Sequence, residues 1–432
     1  MHTDNINLIL ETQQSSFLKW REFSLKERIT VVTAIKNRLL ENKEQYAKAI
    51  TTDMNKPIQQ AIAEVEKCAY LCDYYIENAE VFLQKQEIKT KWTSSYITFQ
   101  PLGVLLGVMP WNFPFWQVFR FVIPSLLVGN TFVVKHASNV PLSANALEDV
   151  FNVSVIDFPI YKNLAIKSSE VANVIANPII KAVSLTGSEG AGRSVAETAG
   201  KHLKKCVLEL GGSNAFIVLE DADVNLAAKK AITARMQNAG QSCIAGKRFL
   251  IHETVFDSFV AKFKEEINGL VTGDKFDKHV TFGAMAREDL AIELETQMKD
   301  SLAMGAILET GGTREGAYFE PTLLTNVTID MPVFKQETFG PLACIVPFKT
   351  IEEAIDLTNN SNFGLGVSIF TTNTNNLKPY LHLFEEGAVF INEMVISDPN
   401  MPFGGVKNSG YGRELSHFAL YEFANVQSVI IN

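Results

Sequence analysis

The sequence predicts an α/β fold, and three observations carry that reading. Short apolar runs rich in β-branched residues recur at 104–108, 132–134, 183–185, 216–219, 249–251, 344–347, 367–370 and 389–391. Most are followed by Gly, Asn or Ser and then by a helical pattern, so buried strands alternate with helices as in sheets covered on both faces. The chain has 432 residues, 47% apolar and 20% charged. That is enough for two or three packed domains and too apolar for disorder.

Along the chain, the first eighty residues read as helical. Ile58, Ile62, Val65, Ala69, Cys72, Ile76, Ala79 and Leu83 alternate in steps of four and three, one stripe of a long helix that starts after Lys56-Pro57. Cys72 is therefore expected in the core, and Cys68 with Cys72 has no histidine nearby to make a metal site. Residues 89–100, KTKWTSSYITFQ, alternate polar and apolar and read as an exposed hairpin, an edge ribbon or a pairing surface for another subunit. Residues 102–119 carry no charge and imitate a membrane span, but Pro110 and Pro114 favour a buried strand, a turn and a helix. The run 183–192, VSLTGSEGAG, is a strand entering a glycine-rich turn and a helix at 193–199, an arrangement that offers backbone N–H groups to a pyrophosphate. It is not the dinucleotide fingerprint, since Arg193-Ser-Val follows where the third glycine belongs.

Composition excludes several classes of function. With 39 Lys and Arg against 48 Asp and Glu the net charge is −9, and no basic cluster offers a footprint for nucleic acid. Five cysteines (Cys68, Cys72, Cys206, Cys243, Cys344), an odd number without a Cys-x-x-Cys pair, suit a reduced, cytoplasmic setting. Cys206 is expected to be buried. The opening MHTDNINLILETQQ lacks the basic-then-apolar order of a signal peptide.

Chemistry concentrates in VLELGGS at 207–213 and QNAGQSCIAG at 237–246. Glu209 and Cys243 each stand beside glycines that let a ligand approach the backbone. A thiolate can attack a carbonyl carbon, and a carboxylate nearby can deprotonate the thiol or a hydrolytic water. Taken singly, a small buried hydrophobe and a surface acid account for the pair as well. Asn112, just past a strand, could donate to an oxyanion or merely form the turn.

In combination, Pro110-Trp-Asn-Phe-Pro114, Val134-Lys135, Leu185-Thr-Gly-Ser188, Leu208-Glu-Leu-Gly-Gly212, Gly240-Gln-Ser-Cys243, Glu337-Thr-Phe-Gly-Pro341 and Pro402-Phe-Gly-Gly-Val-Lys407 occur in an order that resembles the aldehyde dehydrogenase superfamily. The resemblance runs from about residue 23 to the C-terminus and is closest to the succinate-semialdehyde dehydrogenases. It implies a Rossmann-like cofactor domain (1–83 and 102–211), an α/β catalytic domain (212–400) and a small β oligomerisation element (84–101 and 415–432) that builds a homodimer or homotetramer.

By the same resemblance Cys243 is the nucleophile, Asn112 the oxyanion donor, Glu209 the general base for thioester hydrolysis and Glu414 a proton relay. Trp111, Lys135, Ser138, Gly187, Ser188, Glu337 and Phe339 hold the cofactor, with no metal. Ser138 stands where NAD-preferring relatives commonly carry a glutamate, and beside Lys135 and His136 it favours NADP while permitting NAD. Arg120, eight residues after Asn112, matches an arginine that binds the distal carboxylate of the substrate, and Ser397 a second contact. Gln237 stands where some of these enzymes carry a second arginine, which leaves one cation in place of two. The N-terminus is about thirty residues shorter than is usual, and residues 151–171 replace a glycine-rich loop, so the adenine side of the site is expected to differ. The sequence also leaves open a broad-specificity aldehyde dehydrogenase, an acyl-transferring enzyme disfavoured by Glu209, and a non-catalytic scaffold.

Overall fold

The computed structural model describes residues 3–432. Four helices, Thr3–Trp20, Leu25–Glu41, Lys43–Met54 and Ile58–Phe82, come first. The last is the long helix expected from the stripe: Ile58, Ile62, Val65, Ala69, Cys72 and Ala79 are all buried. It packs on the helix Trp116–Val128. The uncharged segment 102–119 divides into the strand Val104–Met109, a turn and the start of that second helix, and no helix among the described residues is long and apolar enough to cross a membrane.

All eight expected strands are present, in two sheets. The first runs Gly410–Tyr411, Lys205–Glu209, Ile180–Thr186, Val104–Met109, Thr131–His136, Tyr161–Asn163, parallel except for the antiparallel first strand. From Val104–Met109 the chain winds outward to Tyr161–Asn163, then returns to lay Ile180–Thr186 on the other side. The winding direction reverses between those central strands, and such a reversal opens a crevice at their carboxyl ends where nucleotides bind. The second sheet runs Ile307–Thr310, Thr322–Thr325, Leu342–Phe348, Gly246–His252, Asn214–Val218, Val367–Phe370, Val389–Ile391, parallel except at its first pair. Its strand Gly246–His252, buried throughout, leads away from the Cys243 loop.

The third sheet differs from expectation. Residues 89–100 do not form a hairpin of their own: Ser94–Pro101 pairs along its whole length with Ala424–Ile431, and only Gln86–Glu87 flanks it on the other edge. Alternation marks a half-exposed strand but does not say which segment pairs with it. Residues 415–423, grouped with this element by sequence, instead pack on the first sheet's helices. Leu415, Leu420 and Phe423 are buried in the same core as Phe121, whose ring meets that of Phe423 edge-on at 5.2 Å.

Candidate active site

The crevice at the reversal point holds a cavity of about 920 Å³ whose walls include Trp111, Asn112, Lys135, Ser138, Gly187, Ser188, Cys243, Glu337 and Phe339. On the nucleotide side, Ser188 caps the helix Glu189–Lys201 by accepting from Ala191 N–H, and a Cβ on Gly190 would meet no atom within 4 Å. The helix start thus presents free N–H groups to open space, as a pyrophosphate needs. Lys135, almost buried, has only the Ser168 hydroxyl at 3.3 Å and forms no ion pair among the described residues. An unpaired ammonium beside Ser138, with no carboxylate at that position, fits an anionic ribose phosphate. His136 does not add to this charge. It turns away to the Tyr161 hydroxyl at 2.7 Å, and burial pushes its pKa down to about 3, so the ring is neutral. Ser168, on a short turn in the altered loop, is a wall residue that the sequence did not reveal.

On the opposite wall, Trp111 and Phe339 meet edge to face at 5.7 Å. Glu337 accepts from the fully buried Lys247 at 2.5 Å and from Gly212 N–H at 3.1 Å, and Lys247 also reaches the Cys243 carbonyl at 3.3 Å. Cys243 arrives through a turn in which Asn238 and Ala239 adopt left-handed φ of 54° and 50° ahead of Gly240. A Cβ on Gly240 would stand 2.3 Å from the Gly340 carbonyl oxygen, so this passage requires glycine.

Asn112 is held from every side. Its Oδ1 accepts from Gln117 Nε2 at 3.0 Å and its Nδ2 donates to the Gln241 carbonyl at 3.1 Å, which leaves one N–H for the cavity. Its own carbonyl accepts from Asn238 Nδ2 at 2.8 Å and from Lys56 Nζ at 3.1 Å. Lys56 is fully buried and pairs at 2.5 Å with buried Glu64, whose other oxygen accepts from the N–H groups of Phe115 and Trp116 at 2.9 and 3.2 Å. Lys56 and Glu64 therefore clamp both ends of the turn that carries Asn112. Lys56-Pro57 reads in sequence only as a helix start, and nothing there signals the clamp.

Behind the thiol lies a buried ionic cluster. Glu209 and Glu414 are 2% and 3% exposed, and burial together with their mutual repulsion holds the Glu209 carboxyl well above the usual range. Glu414 is raised by burial as well, against the pull of Arg120. It pairs at 2.8 Å with Nε of Arg120, whose guanidinium lies 4.5 Å above the Phe403 ring. Arg120 thus already has one carboxylate, yet its Nη2 is buried without a partner among the described residues. Burial pushes the Cys243 thiol up to about 11, opposed first by Arg120 and then by Lys247. Ser397 is buried and accepts from Trp116 Nε1 at 2.9 Å and Lys67 Nζ at 2.8 Å. Gln237 is exposed, and like Arg120 and Ser397 it is not among the residues that line the cavity. Cys206 is half-exposed, not buried, and its sulfur lies 2.9 Å from the Tyr411 hydroxyl.

A thiol at a crevice of this size, with a buried carboxylate behind it and the switch point of a doubly wound α/β sheet beneath, has the layout of a dinucleotide-dependent oxidoreductase. The sequence places it further: residues 1–429 match the aldehyde dehydrogenase family, and the chain belongs to that family. It is an NAD(P)-dependent enzyme that oxidises an aldehyde to the acid. Among its relatives are a probable NADP(+)-dependent succinate-semialdehyde dehydrogenase of Synechocystis and an NAD(P)+-dependent succinate semialdehyde dehydrogenase of Escherichia coli. Each is 43% identical, spanning 99% of this chain and 94% and 93% of the relative. The crystal structure of succinic semialdehyde dehydrogenase from Streptococcus pyogenes with NADP+ superposes with a TM-score of 0.97 at 37% identity, covering 100% of this chain and 96% of that one.

Proposed function

We propose that this chain oxidises succinate semialdehyde to succinate, with NADP favoured and NAD accepted. The observation that carries the reading is Arg120: a guanidinium 3% exposed whose Nε pairs with Glu414 keeps a buried Nη2 without a partner, close enough to Cys243 to favour its thiolate, and so has room for a second carboxylate. The identity of about 43% to enzymes of that name supports it.

In this scheme Cys243 attacks the aldehyde carbon and forms a thiohemiacetal, whose oxyanion is held by Asn112 Nδ2 and the Cys243 backbone N–H. A bound dinucleotide would supply the two-electron acceptor for the hydride lost as the thiohemiacetal becomes a thioester. Lys135, Ser138, Gly187 and Ser188 on one wall and Trp111, Glu337 and Phe339 on the other are the residues that would hold it. Glu209, whose proton affinity burial raises, takes a proton from the water that cleaves the thioester, releasing the acid and restoring the thiolate; Glu414 passes that proton on. The exposed strand Ala424–Ile431 supports assembly into a homodimer or homotetramer, and five unpaired thiols suit a reducing, cytoplasmic setting.

The test is kcat/KM with NADP for succinate semialdehyde and for butanal, in wild type and Arg120→Met. A wild-type preference for the charged aldehyde that falls on the order of thirtyfold in the variant, about 2 kcal/mol, supports the reading. An unchanged ratio leaves Arg120 a partner of Glu414 and the enzyme a broad-specificity aldehyde dehydrogenase.

A further inference from the structure

The sequence offers one cation for a substrate carboxylate, but the fold brings up a second. Lys67 projects from the long helix Ile58–Phe82, and its Nζ lies 4.2 Å over the Trp116 ring and 2.8 Å from Ser397 Oγ. Trp116 Nε1 donates to the same oxygen at 2.9 Å. An ammonium and an indole N–H can only donate, so the Ser397 hydroxyl accepts twice and its own proton is left pointing to no acceptor among the described residues. Lys67 forms no ion pair there either. Glu64, one turn earlier on its helix, is taken by Lys56 and two backbone N–H groups, and Asp398 accepts from the backbone and side chain of Asn400 at 2.9 and 2.7 Å. Burial, and after it the Arg120 charge, lower the Lys67 pKa to about 8.

Lys67 Nζ and the Ser397 O–H, each with a donor to spare, meet at the Trp116 ring, and Arg120, one turn further along the helix that carries Trp116, holds a third donor, Nη2, without a partner among the described residues. An acceptor with two oxygens and a negative charge satisfies all three, which is the chemistry of a carboxylate. We propose that Lys67 is a further specificity-determining residue, its ammonium and the Ser397 hydroxyl forming the second half of the site that takes the distal carboxylate of a short ω-carboxylated aldehyde. The inference rests on the proposed function, and it assigns to the N-terminal helix the second cation that Gln237 does not provide.

The experiment is kcat/KM with NADP for succinate semialdehyde and butanal in wild type, Lys67→Met, Lys67→Gln and Lys67→Arg, with inhibition by succinate measured alongside. We expect Lys67→Met and Lys67→Gln to lower the ratio of succinate semialdehyde to butanal at least tenfold, mainly through KM, and to weaken inhibition by succinate in parallel. Lys67→Arg retains most of the ratio. A wild type with no preference for the charged aldehyde sinks both the proposed function and this assignment. A wild type with the preference, and ratios within twofold of it in both neutral variants, overturns the Lys67 assignment alone. The glutamine variant keeps the test decisive should methionine prevent folding, since it removes the charge while keeping a hydrogen-bond donor on the side chain.

Discussion

Replacing Glu64 with glutamine isolates the charge in the clamp that holds the Asn112 turn. The amide keeps an acceptor for the Phe115 and Trp116 N–H groups, but Lys56, fully buried at Asn112 O, loses its counter-ion. Breaking one side of a buried pair typically costs about 3–5 kcal/mol. A ceiling comes from the alternative open to the lysine, which is to shed its proton. At ~1.4 kcal/mol per pH unit, over the ~3.4 units between pH 7 and the ordinary lysine pKa, neutralising it costs at most about 5 kcal/mol. The sign with pH follows. Burial already lowers the Lys56 pKa in the wild type, and without Glu64 it falls further. Between that depressed value and about 10.4 the unfolded chain binds a proton that the folded chain does not, so the variant gains stability as pH rises, by up to about 1.4 kcal/mol per unit. Equilibrium urea unfolding at pH 7, 8 and 9 should show a deficit of about 3–5 kcal/mol that shrinks by about 2–3 kcal/mol over the series. The double variant Lys56→Met/Glu64→Gln should recover most of it. A deficit below about 1 kcal/mol, or one equal at pH 7 and pH 9, would refute a buried, charge-dependent clamp.

Three further outcomes are expected. A Cβ at Gly404 would stand 2.8 Å from Glu209 Oε1 and 2.7 Å from the Gly412 carbonyl oxygen. Gly404→Ala should therefore displace the base and slow thioester hydrolysis about tenfold or more, read as a burst of reduced cofactor before slow turnover; a uniform loss without a burst argues against Glu209 as that base. With the Cys243 thiol at about 11, alkylation of the free enzyme should rise about tenfold per pH unit from pH 7 to 10, and a plateau below pH 9 contradicts the burial argument. Ser138→Glu places a carboxylate beside Lys135 and should lower kcat/KM for NADP at least tenfold more than for NAD, as seen in steady-state kinetics with each cofactor.

Strands and the long N-terminal helix were readable because their signal is local. The apolar runs at 104–108 and 249–251, and the stripe from Ile58 to Ala79, bury what their period says they bury. The motif residues lining the cavity were readable for another reason: each sits where a strand or turn ends, and glycines mark those places. What escaped is long-range. Glu64 meets Phe115 across 51 positions and Lys67 meets Ser397 across 330, and in sequence both are unremarkable charges flanking an apolar stripe. Arg120 was recognised as needing an anion, but its pairing with Glu414 depends on a distant bridge between Phe403 and Glu414 that brings the acid inward. The alternating segment at 89–100 and the C-terminal run at 426–431 read as parts of one β element, but local alternation does not show that they pair with each other within one chain.

The short antiparallel pairing of Gly410–Tyr411 with Lys205–Glu209 makes the second sheet a topological insertion within the first. The edge partner of residues 205–209, the counter-ion of Arg120 and the carbonyl of Phe423 that accepts from Asn130 all come after residue 409. The first sheet is thus completed only by residues that follow every strand of the second. A chain clipped before residue 410 would keep Cys243 and every residue of the cavity wall, yet lose the edge strand that closes the first sheet and the acid that pairs with Arg120.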